Sequence, residues 1–421
     1  MVTHFLNILK QRGRVAQVSH EEELNELLNK GVQSNDGIPY GVYAGFDPTA
    51  KSLHVGHLAA LILLRRAQDC GLTPIIVFGG ATGLIGDPTD RSDMRPMNSK
   101  ELIAEYVENF KKLTTQYFRT DVPNKPIFLN NIDWIGNIPW IDFLRDTGVH
   151  FTVARLLAAD VNRTRFEQGG LTFMELGYQL LQAYDFLHLS RKYNCFIQLG
   201  GDDQWSNILA GADLIRRVDR KKAFALTQPL LADSSGRKIG KTSGNALWID
   251  ATLTPPFEFY QYFRNVGDAS VADFLRTYTN LEEPEIVRMC DMTFSNINET
   301  KEYLAFSVTE LVHGKAAAEG AQQAAKALFA GGGDLSSAPS TLVQKSEVES
   351  GLNILDILVK CELSQSKGEA RKLIQGNGLS LNGEKLSDVH YQISLKDFET
   401  EQNAIVLKKG KKDFHLIKLS H

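Results

Sequence analysis

The most constraining stretch of the sequence is a strand, a helix and a second strand that follow one another through short connections. Residues 41–46 form a dense apolar run typical of a buried strand, and 47–49 (Asp-Pro-Thr) predict a turn. The apolar spacing from about 52 to 68 predicts a helix, and 73–80 predict another buried strand. Two strands joined in this way lie parallel in one sheet, with the helix packed on a face of that sheet.

The same pattern occurs again in the middle of the chain. Residues 196–201 predict a strand, 206–218 a helix and 224–231 a further strand. Between the two units, roughly 100–170, the sequence predicts a mostly helical insertion. We therefore expect an α/β fold, a doubly wound parallel sheet that is split by a helical insertion.

The remainder of the chain predicts two further parts. The pattern is helical from about 255 to 329, and a segment rich in Gly, Ser and Pro at 331–340 is the clearest linker. The expected domains are a sheet domain at 1–250, an α-helical domain at 251–330, a linker at 331–344 and a small α+β domain at 345–421.

Composition excludes several classes of protein. A net charge of −4 over 421 residues argues against a surface that binds polyanions everywhere, so nucleic acid would bind to local patches. The cysteines, far apart and without a CxxC pair, indicate reduced thiols and no zinc site: Cys70, Cys195, Cys290 and Cys361. The apolar run 58–64 is too short to cross a bilayer, and the N-terminus lacks the apolar core of a signal peptide. We expect a cytoplasmic protein, with an organellar presequence as the alternative.

Two histidines open the first predicted helix. His54 and His57 are three residues apart and share one face of its first turn, and Gly56 leaves room for a flat ring to approach the backbone. Imidazole N–H groups at a helix N-terminus suit phosphate oxygens, because negative charge is stabilised there. For a four-residue match alone, chance occurrence with buried or solvated histidines is the default interpretation, and the position just after a strand strengthens the case for a ligand site.

Two loops carry further cationic side chains. Lys238 and Lys241 lie in GRKIGKT, a loop at 236–242. The two interpretations are a mobile loop that closes on a polyphosphate and a solvated basic loop. The Gly-rich turn at 80–95 adds one carboxylate and two guanidinium groups that either clamp phosphates or are solvated: Asp87, Arg91 and Arg95.

A polar stripe interrupts an otherwise apolar helix, which Thr172 and Glu175 open as a capping box. The stripe consists of residues spaced i, i+4 and i+7: Tyr178, Gln182 and Asp185. It contains neither Lys nor Arg, which favours a pocket wall over a solvent face. Asp203 and Gln204 follow a strand, where they either hold an ammonium or hydroxyl group of a ligand or cap a helix.

HVGH at 54–57, KIGKT at 238–242 and the insertion between them together resemble a class I aminoacyl-tRNA synthetase. Five motifs resemble bacterial-type tyrosyl-tRNA synthetases in order and spacing: YAGFDPTAKSLHVGH, GGATGLIGDPT, YxxxQxxD, GGDDQW and GKTSGNALWID. The resemblance covers essentially the whole chain. It implies a Rossmann-like catalytic domain that activates tyrosine with ATP and transfers it to tRNA(Tyr), followed by an α-helical anticodon-region domain at 251–330. It also implies Mg²⁺ coordinated mostly by ATP, no protein-bound metal, and a homodimer joined through the insertion.

The resemblance also assigns roles to individual positions. Tyr43 and Asp185 match the residues that hold the phenolic hydroxyl of tyrosine. Three residues match those that surround its amino group in the family: Tyr178, Gln182 and Asp87. The ATP and adenylate pocket matches Gly45, Asp47, Gly56, Gly201, Asp203 and Gln204. The phosphate site matches Thr49, His54 and His57. The loop groups that stabilise pyrophosphate match Arg91, Arg95, Lys238, Lys241 and Thr242.

The implied chemistry suits these residue types. The carboxylate of tyrosine is ionised at neutral pH, so its attack on the α-phosphate needs positioning and charge stabilisation but no general base. Rejection of phenylalanine requires partners that a missing hydroxyl leaves unpaired. This family is itself the known case of such discrimination without editing, by about 10⁵, and we expect no editing domain.

The C-terminal stretch 364–388 resembles the ribosomal-protein S-four-like RNA-binding module. Candidate phosphate contacts for tRNA are Arg371, Lys372, Lys408, Lys409, Lys411 and Lys412. A solvated basic helix and tail is the competing interpretation.

The chain departs from the family pattern at Asp202, Ser206 and Gly240. Three alternatives remain: a tryptophanyl enzyme, which the Tyr43 and Asp185 pair disfavours; a non-catalytic synthetase-like RNA-binding protein; and a nucleotidylyltransferase that shares only HxGH.

Overall fold

The computed structural model describes residues 4–34, 36–89, 97–232, 239, 246–291, 293, 296–330, 340–400, 404–410 and 413–420. The chain divides into two compact units. The first unit comprises Met1–Asp250 and Ala272–Val287, and the second comprises Ala251–Val271 and Arg288–His421.

A six-stranded sheet forms the centre of the first unit. Its strands are β1 (Gln17–Val18), β2 (Gly41–Phe46), β3 (Thr73–Phe78), β4 (Ile127–Asn130), β5 (Cys195–Gly201) and β6 (Phe224–Gln228). They lie in the order β1-β6-β5-β2-β3-β4, and all neighbours are parallel except β1, which pairs antiparallel with β6. The prediction of an α/β fold with a parallel sheet is confirmed.

The insertion is mostly helical, as the sequence predicts, but it also contains one strand that the sequence does not predict. β4 pairs in parallel with β3 and extends the sheet, with Ile75 opposite Ile127. Four residues are too few for a periodicity that separates strand from helix. The last predicted strand, 224–231, is also shorter, because Pro229 has no N–H to donate to the ladder beyond Gln228.

The helices of the first unit cover the sheet and form the insertion. They are α1 (Phe5–Gln11), α2 (Glu21–Lys30), α3 (Val55–Asp69), α4 (Thr82–Ile85), α5 (Lys100–Thr115), α6 (Ile132–Ile135), α7 (Trp140–Asp146), α8 (Val153–Ala158), α9 (Asp160–Glu167), α10 (Phe173–Lys192) and α11 (Trp205–Asp219). The predicted capping box of Thr172 and Glu175 opens α10. One face of α10 packs on the sheet, where Phe186 contacts Tyr43 with ring centroids 5.3 Å apart.

The helices after the sheet are α12 (Pro256–Arg264), α13 (Asp268–Tyr278), α14 (Glu283–Cys290), α15 (Ile297–His313) and α16 (Lys315–Ala330). Within the first unit, buried arginines cap the carbonyl groups at the end of α13. Arg12 donates to the carbonyls of Arg276 and Thr279, and Arg66 donates to that of Thr279 at 2.8 Å. Burial lowers the pKa of Arg66 to about 9. This segment reaches the start of α3, where the Tyr278 hydroxyl donates to the Val55 carbonyl at 2.9 Å.

The C-terminal part of the second unit is built on a five-stranded sheet. Its elements are β7 (Ser340–Gln344), α17 (Lys345–Glu349), β8 (Leu352–Asn353), α18 (Ile354–Lys360), α19 (Lys367–Gln375), β9 (Leu379–Leu381), β10 (Glu384–Lys385), β11 (Gln392–Ile393), β12 (Ala404–Lys409) and β13 (Asp413–Ser420). The sheet order is β10-β9-β12-β13-β7, and Ile357, Ile374 and Ile405 are among the residues of its core. None of the described helices is both long and apolar enough to span a membrane.

Candidate active site

A cavity of about 290 Å³ lies in the first unit, beside the carboxyl ends of the central parallel strands. It brings together these predicted site residues: Tyr43, Gly45, Asp47, Thr49, His54, Gly56, His57, Asp87, Tyr178, Gln182, Asp185, Gly201, Asp203 and Gln204. The predictions for Arg91, Arg95, Lys238, Lys241 and Thr242 lie outside the described residues, although Ile239 of the KIGKT motif lines the cavity. The polar stripe of α10 therefore forms a pocket wall.

One end of the cavity holds a buried carboxyl group next to an aromatic hydroxyl. Asp185 is 4% exposed and accepts hydrogen bonds from Asn131 Nδ2 at 3.0 Å and Trp134 Nε1 at 2.7 Å. Burial raises the pKa of Asp185 to about 7, against the opposing effect of these two donors. The Tyr43 hydroxyl is buried and has no hydrogen-bond partner among the described residues. A buried hydroxyl left in this state is costly, which suits a site that a polar ligand group completes.

Asn131 and Trp134 were missed by sequence reasoning. Both follow β4, a strand that the sequence pattern does not predict. Asn131 lines the cavity, and Trp134 reaches it through its hydrogen bond to Asp185. The Trp134 ring also stacks on His188, with centroids 4.5 Å apart and planes 9° apart. The Asp185 carboxylate is thus held by side chains that leave it little freedom to turn.

The middle of the cavity is organised around Asp47. This carboxylate accepts hydrogen bonds from the hydroxyls of Tyr178 at 2.8 Å and Thr82 at 2.7 Å. Glycine is required at position 79, because a Cβ there would lie 2.0 Å from Asp47 Oδ1. The family resemblance assigns Tyr178 to the amino group of tyrosine and Asp47 to the nucleotide, and the structure joins the two side chains by a hydrogen bond.

A second carboxylate faces the same space from the loop after α4. Gln204 Nε2 donates to Asp87 Oδ2 at 2.8 Å, and the backbone N–H of Thr89 donates to Asp87 Oδ1 at 2.9 Å. The carboxylates of this region make it suitable for an ammonium group.

The unexpected carboxylate at 202 has a structural role. Asp202 Oδ1 accepts hydrogen bonds from Gln17 Nε2 at 2.7 Å and Thr227 Oγ1 at 2.9 Å. These bonds tie the edge strand β1 to β6 and to the turn that presents Asp203 and Gln204 to the cavity.

The two histidines form another part of the cavity wall, at the N-terminus of α3. His54 is the N-cap, its Nδ1 accepts the N–H of Gly56 at 3.1 Å, and the Nδ1 of His57 accepts the N–H of His54 at 3.2 Å. A Cβ on Gly56 would lie 2.9 Å from His54 Cε1, so this position requires glycine. The Val55 N–H donates to the Leu247 carbonyl at 3.1 Å, which braces the turn from outside. This wall offers donors and a helix N-terminus to an anion.

The cationic candidates of the C-terminal region differ in exposure. Arg371 and Lys372 on α19 are exposed. Lys408 lies over the Phe414 ring at 5.0 Å, and Lys409 Nζ donates to the Leu363 carbonyl at 2.6 Å. The predictions for Lys411 and Lys412 lie outside the described residues.

Comparisons with known proteins agree with this geometry. Residues 35–330 match the family described as tRNA synthetases class I (W and Y), and residues 335–417 match the Tyrosine--tRNA ligase SYY-like C-terminal domain. The chain is 46% identical to the Tyrosine--tRNA ligase of Clostridium botulinum over 417 residues, which covers 99% of each chain. It is also 46% identical to that of Caldanaerobacter subterraneus over 410 residues, covering 97% of this chain and 98% of the relative.

Solved structures show the same fold. A C-terminally truncated mitochondrial tyrosyl-tRNA synthetase of Aspergillus nidulans aligns with a TM-score of 0.68 and 28% identity, covering 77% of this chain and 94% of that one. A tyrosyl-tRNA synthetase of Archaeoglobus fulgidus, complexed with L-tyrosine, aligns with a TM-score of 0.58 at 17% identity, over 76% of this chain and 99% of that one.

Proposed function

The chain belongs to the class I tRNA synthetases, as a ligase that joins tyrosine to tRNA, and from this membership we propose how its residues divide the work. The resemblance found in the sequence is confirmed, and 46% identity over the full chain to tyrosine ligases leaves the three alternative functions without support. ATP is the second substrate of this class. The roles of single residues, the domain boundaries, Mg²⁺, dimerisation and location are our proposal.

Tyrosine binds with its phenolic hydroxyl between Tyr43 and Asp185. The observation that carries this assignment is the buried Tyr43 hydroxyl, which has no partner among the described residues, next to a carboxylate held by two N–H donors. A phenol completes this set, whereas the ring of phenylalanine leaves the hydroxyl and the carboxylate unpaired. The ammonium group of the substrate lies towards Asp87, Tyr178 and Gln182.

ATP occupies the other side of the cavity. Its ribose and adenylate portions contact Gly45, Asp47, Gly56, Gly201, Asp203 and Gln204, and its phosphates contact Thr49, His54 and His57. Arg91, Arg95, Lys238, Lys241 and Thr242 complete the phosphate site in this proposal. Mg²⁺ belongs to it as the ion that ATP carries on its phosphates.

In the first reaction, a carboxylate oxygen of tyrosine attacks the α-phosphorus of ATP. A new O–P bond forms the tyrosyl-adenylate, the bond to the β-phosphate oxygen breaks, and pyrophosphate leaves. The attacking group is already an anion, so the protein supplies alignment and charge stabilisation. Ring N–H donors of His54 and His57 stabilise the charge that develops on the leaving group.

In the second reaction, a hydroxyl of the terminal ribose of tRNA attacks the activated carbonyl and AMP leaves. We propose that 251–330 and 345–421 act as tRNA-contacting domains joined by a linker at 331–344. The proposed phosphate contacts are Arg371, Lys372, Lys408, Lys409, Lys411 and Lys412.

The insertion is proposed as the homodimer interface. Its large apolar side chains that are exposed in the single chain are Trp140, Ile141, Leu144, Val149, Val153 and Phe166, and Phe173 is exposed at the adjoining start of α10. Apolar exposure concentrated in this way is typical of an association surface. A cytoplasmic location is supported by the four cysteines, all of which are free thiols.

The assignment is tested by amino-acid-dependent exchange of labelled pyrophosphate into ATP. We expect exchange with tyrosine and none above background with phenylalanine or tryptophan at equal concentration. Replacement of Tyr43 by Phe should reduce the discrimination between tyrosine and phenylalanine. Discrimination equal to that of the wild type would contradict the role of this hydroxyl.

A further inference from the structure

A buried ion pair lies next to the start of α10, outside the cavity lining. Arg165 Nη2 and Glu175 Oε1 are 2.9 Å apart, and the two side chains are only 7% and 2% exposed. Burial of two charges costs free energy that mutual attraction alone often fails to offset. A pair in this environment therefore calls for a role besides stability.

The pair closes the loop between α9 and α10. Glu175 Oε2 accepts hydrogen bonds from the Thr172 N–H at 2.9 Å and the Thr172 hydroxyl at 3.0 Å. Arg165 Nη2 also donates to the Gly170 carbonyl at 2.7 Å. Burial alone would raise the pKa of Glu175, but the hydrogen bonds from Thr172 and Arg165 outweigh it and lower the pKa. The first turn of α10 is thus held to the preceding loop by charged and neutral hydrogen bonds together.

The same turn sets the position of a cavity residue. Tyr178 follows Glu175 by three residues on the adjoining turn of α10, and its hydroxyl bonds Asp47 at 2.8 Å. A shift or rotation of the helix start would move this hydroxyl away from Asp47 and from the space proposed for the substrate ammonium group. We propose that Arg165 and Glu175 are positioning residues that fix the amino-group side of the tyrosine site through Tyr178. This inference rests on the proposed function of the cavity.

The test is the double variant Arg165→Met/Glu175→Gln, assayed by pyrophosphate exchange. It removes both charges at similar volume, so no unpaired charge stays buried, and the new amide side chain keeps an oxygen that can accept from Thr172. We expect the KM for tyrosine to rise about tenfold. This is the order of the effect that the loss of one hydrogen bond to a charged group produces. The KM for ATP should rise much less, because Asp47 keeps its hydrogen bond from Thr82 and the phosphate wall is on α3.

A second variant changes the pair without removing charge. In Gly170→Ala the new Cβ would lie 2.7 Å from Arg165 Nη1 and displace the guanidinium group. It should also raise the KM for tyrosine, with a much smaller effect on that for ATP. The matched control is Arg191→Gln, which breaks the exposed pair of Arg191 and Asp219 near the other end of α10 and should change neither constant.

The outcomes separate this inference from the proposed function. If the wild type shows no tyrosine-dependent exchange, the function itself fails. If the wild type exchanges and both variants keep its KM for tyrosine, the positioning role fails. An equal rise in both KM values also overturns it, because that indicates general damage. A tyrosine KM that returns to normal at higher enzyme concentration overturns it as well, since the pair would then act through association.

Discussion

The imidazole rings of His54 and His57 lie nearly face to face, with centroids 3.8 Å apart and planes 21° apart. Each Nδ1 accepts a backbone N–H, from Gly56 and His54 respectively. A nitrogen that accepts such a bond carries no hydrogen, so in the neutral rings the hydrogen is on Nε2. The cap of α3 thereby selects the same tautomer for both histidines and fixes which ring nitrogen of each is the donor.

Replacement of His54 or His57 by Ala should lower the rate of tyrosyl-adenylate formation at least tenfold. Tyrosine affinity should change much less, because the donors act on the departing pyrophosphate. Pre-steady-state measurement of adenylate formation, together with equilibrium tyrosine binding, separates the two quantities. Equal losses of rate and affinity would contradict a role confined to the transition state.

His57→Asn provides a control for the cap. The Asn oxygen can occupy the place of Nδ1 and accept a hydrogen bond from the His54 N–H. Ala has no acceptor, and loss of this capping bond costs about 1 kcal/mol of stability. We expect Asn to restore the melting temperature and to recover part of the rate. If the Asn and Ala variants have the same melting temperature, the hydrogen bond to His57 Nδ1 does not stabilise the turn.

Asp185 should produce a pH dependence of stability with an unusual sign. Its pKa rises from 3.8 to about 7 on folding, mainly through burial. Between these pH values the folded protein binds more protons than the unfolded chain, so the free energy of unfolding falls as pH increases. The contribution is therefore complete at low pH and is lost as pH approaches 7.

The comparison with Asp185→Asn isolates this effect, because Asn does not titrate. Denaturant unfolding at several pH values between about 4 and 8 should show the wild type losing stability relative to the variant as pH rises. A difference that is constant with pH would show that the carboxyl pKa is not raised. The variant should also bind tyrosine weakly. Its amide NH₂ is a donor, so it places a donor against the N–H of either Asn131 or Trp134 and leaves that N–H without an acceptor.

Much of the site could be predicted from the sequence, because its residues belong to short motifs tied to element ends. The placement of His54 and His57 on the first turn of α3 and the polar stripe of Tyr178 and Asp185 follow from local spacing, whereas the N-cap role of His54 is seen only in the structure. The bond between Tyr178 and Asp47 could not be predicted, since 131 residues separate them and only the sheet register brings them together.

The hydrogen-bond partners of Asp185 could not be predicted either, because they depend on a strand that the sequence pattern does not reveal. Asn131 and Trp134 follow β4, whose four residues carry no distinctive period. The local sequence offers no explanation for the carboxylate of Asp202, which accepts a hydrogen bond from Gln17 on the edge strand, 185 residues away. Local pattern and the family resemblance together thus predict which residues line the cavity, and tertiary contacts decide how they are held.

Ile141→Asp should weaken the proposed homodimer and shift the protein towards monomer. Ile141 is 69% exposed in the single chain, within the insertion proposed as the interface. A charge buried there without a partner opposes association. Sedimentation velocity over a range of concentrations measures the change, and Ile38→Asp, at a 54% exposed apolar position outside the insertion, is the control. Loss of dimer in both variants, or in neither, would contradict the assignment.

Arg371 and Lys372 should matter for tRNA and not for adenylate formation. Both are exposed on α19, whereas Lys409 is already bonded to the Leu363 carbonyl and pairs with Glu369 at 3.5 Å. The double variant Arg371→Ala/Lys372→Ala should raise the KM for tRNA and reduce the salt dependence of tRNA binding, by a slope of about 1 for each lost phosphate contact. Pyrophosphate exchange should be unchanged.

Lys409→Ala should instead lower the melting temperature, with a smaller effect on tRNA binding. If it weakens tRNA binding as much as the double variant does, exposure is not what distinguishes these cations.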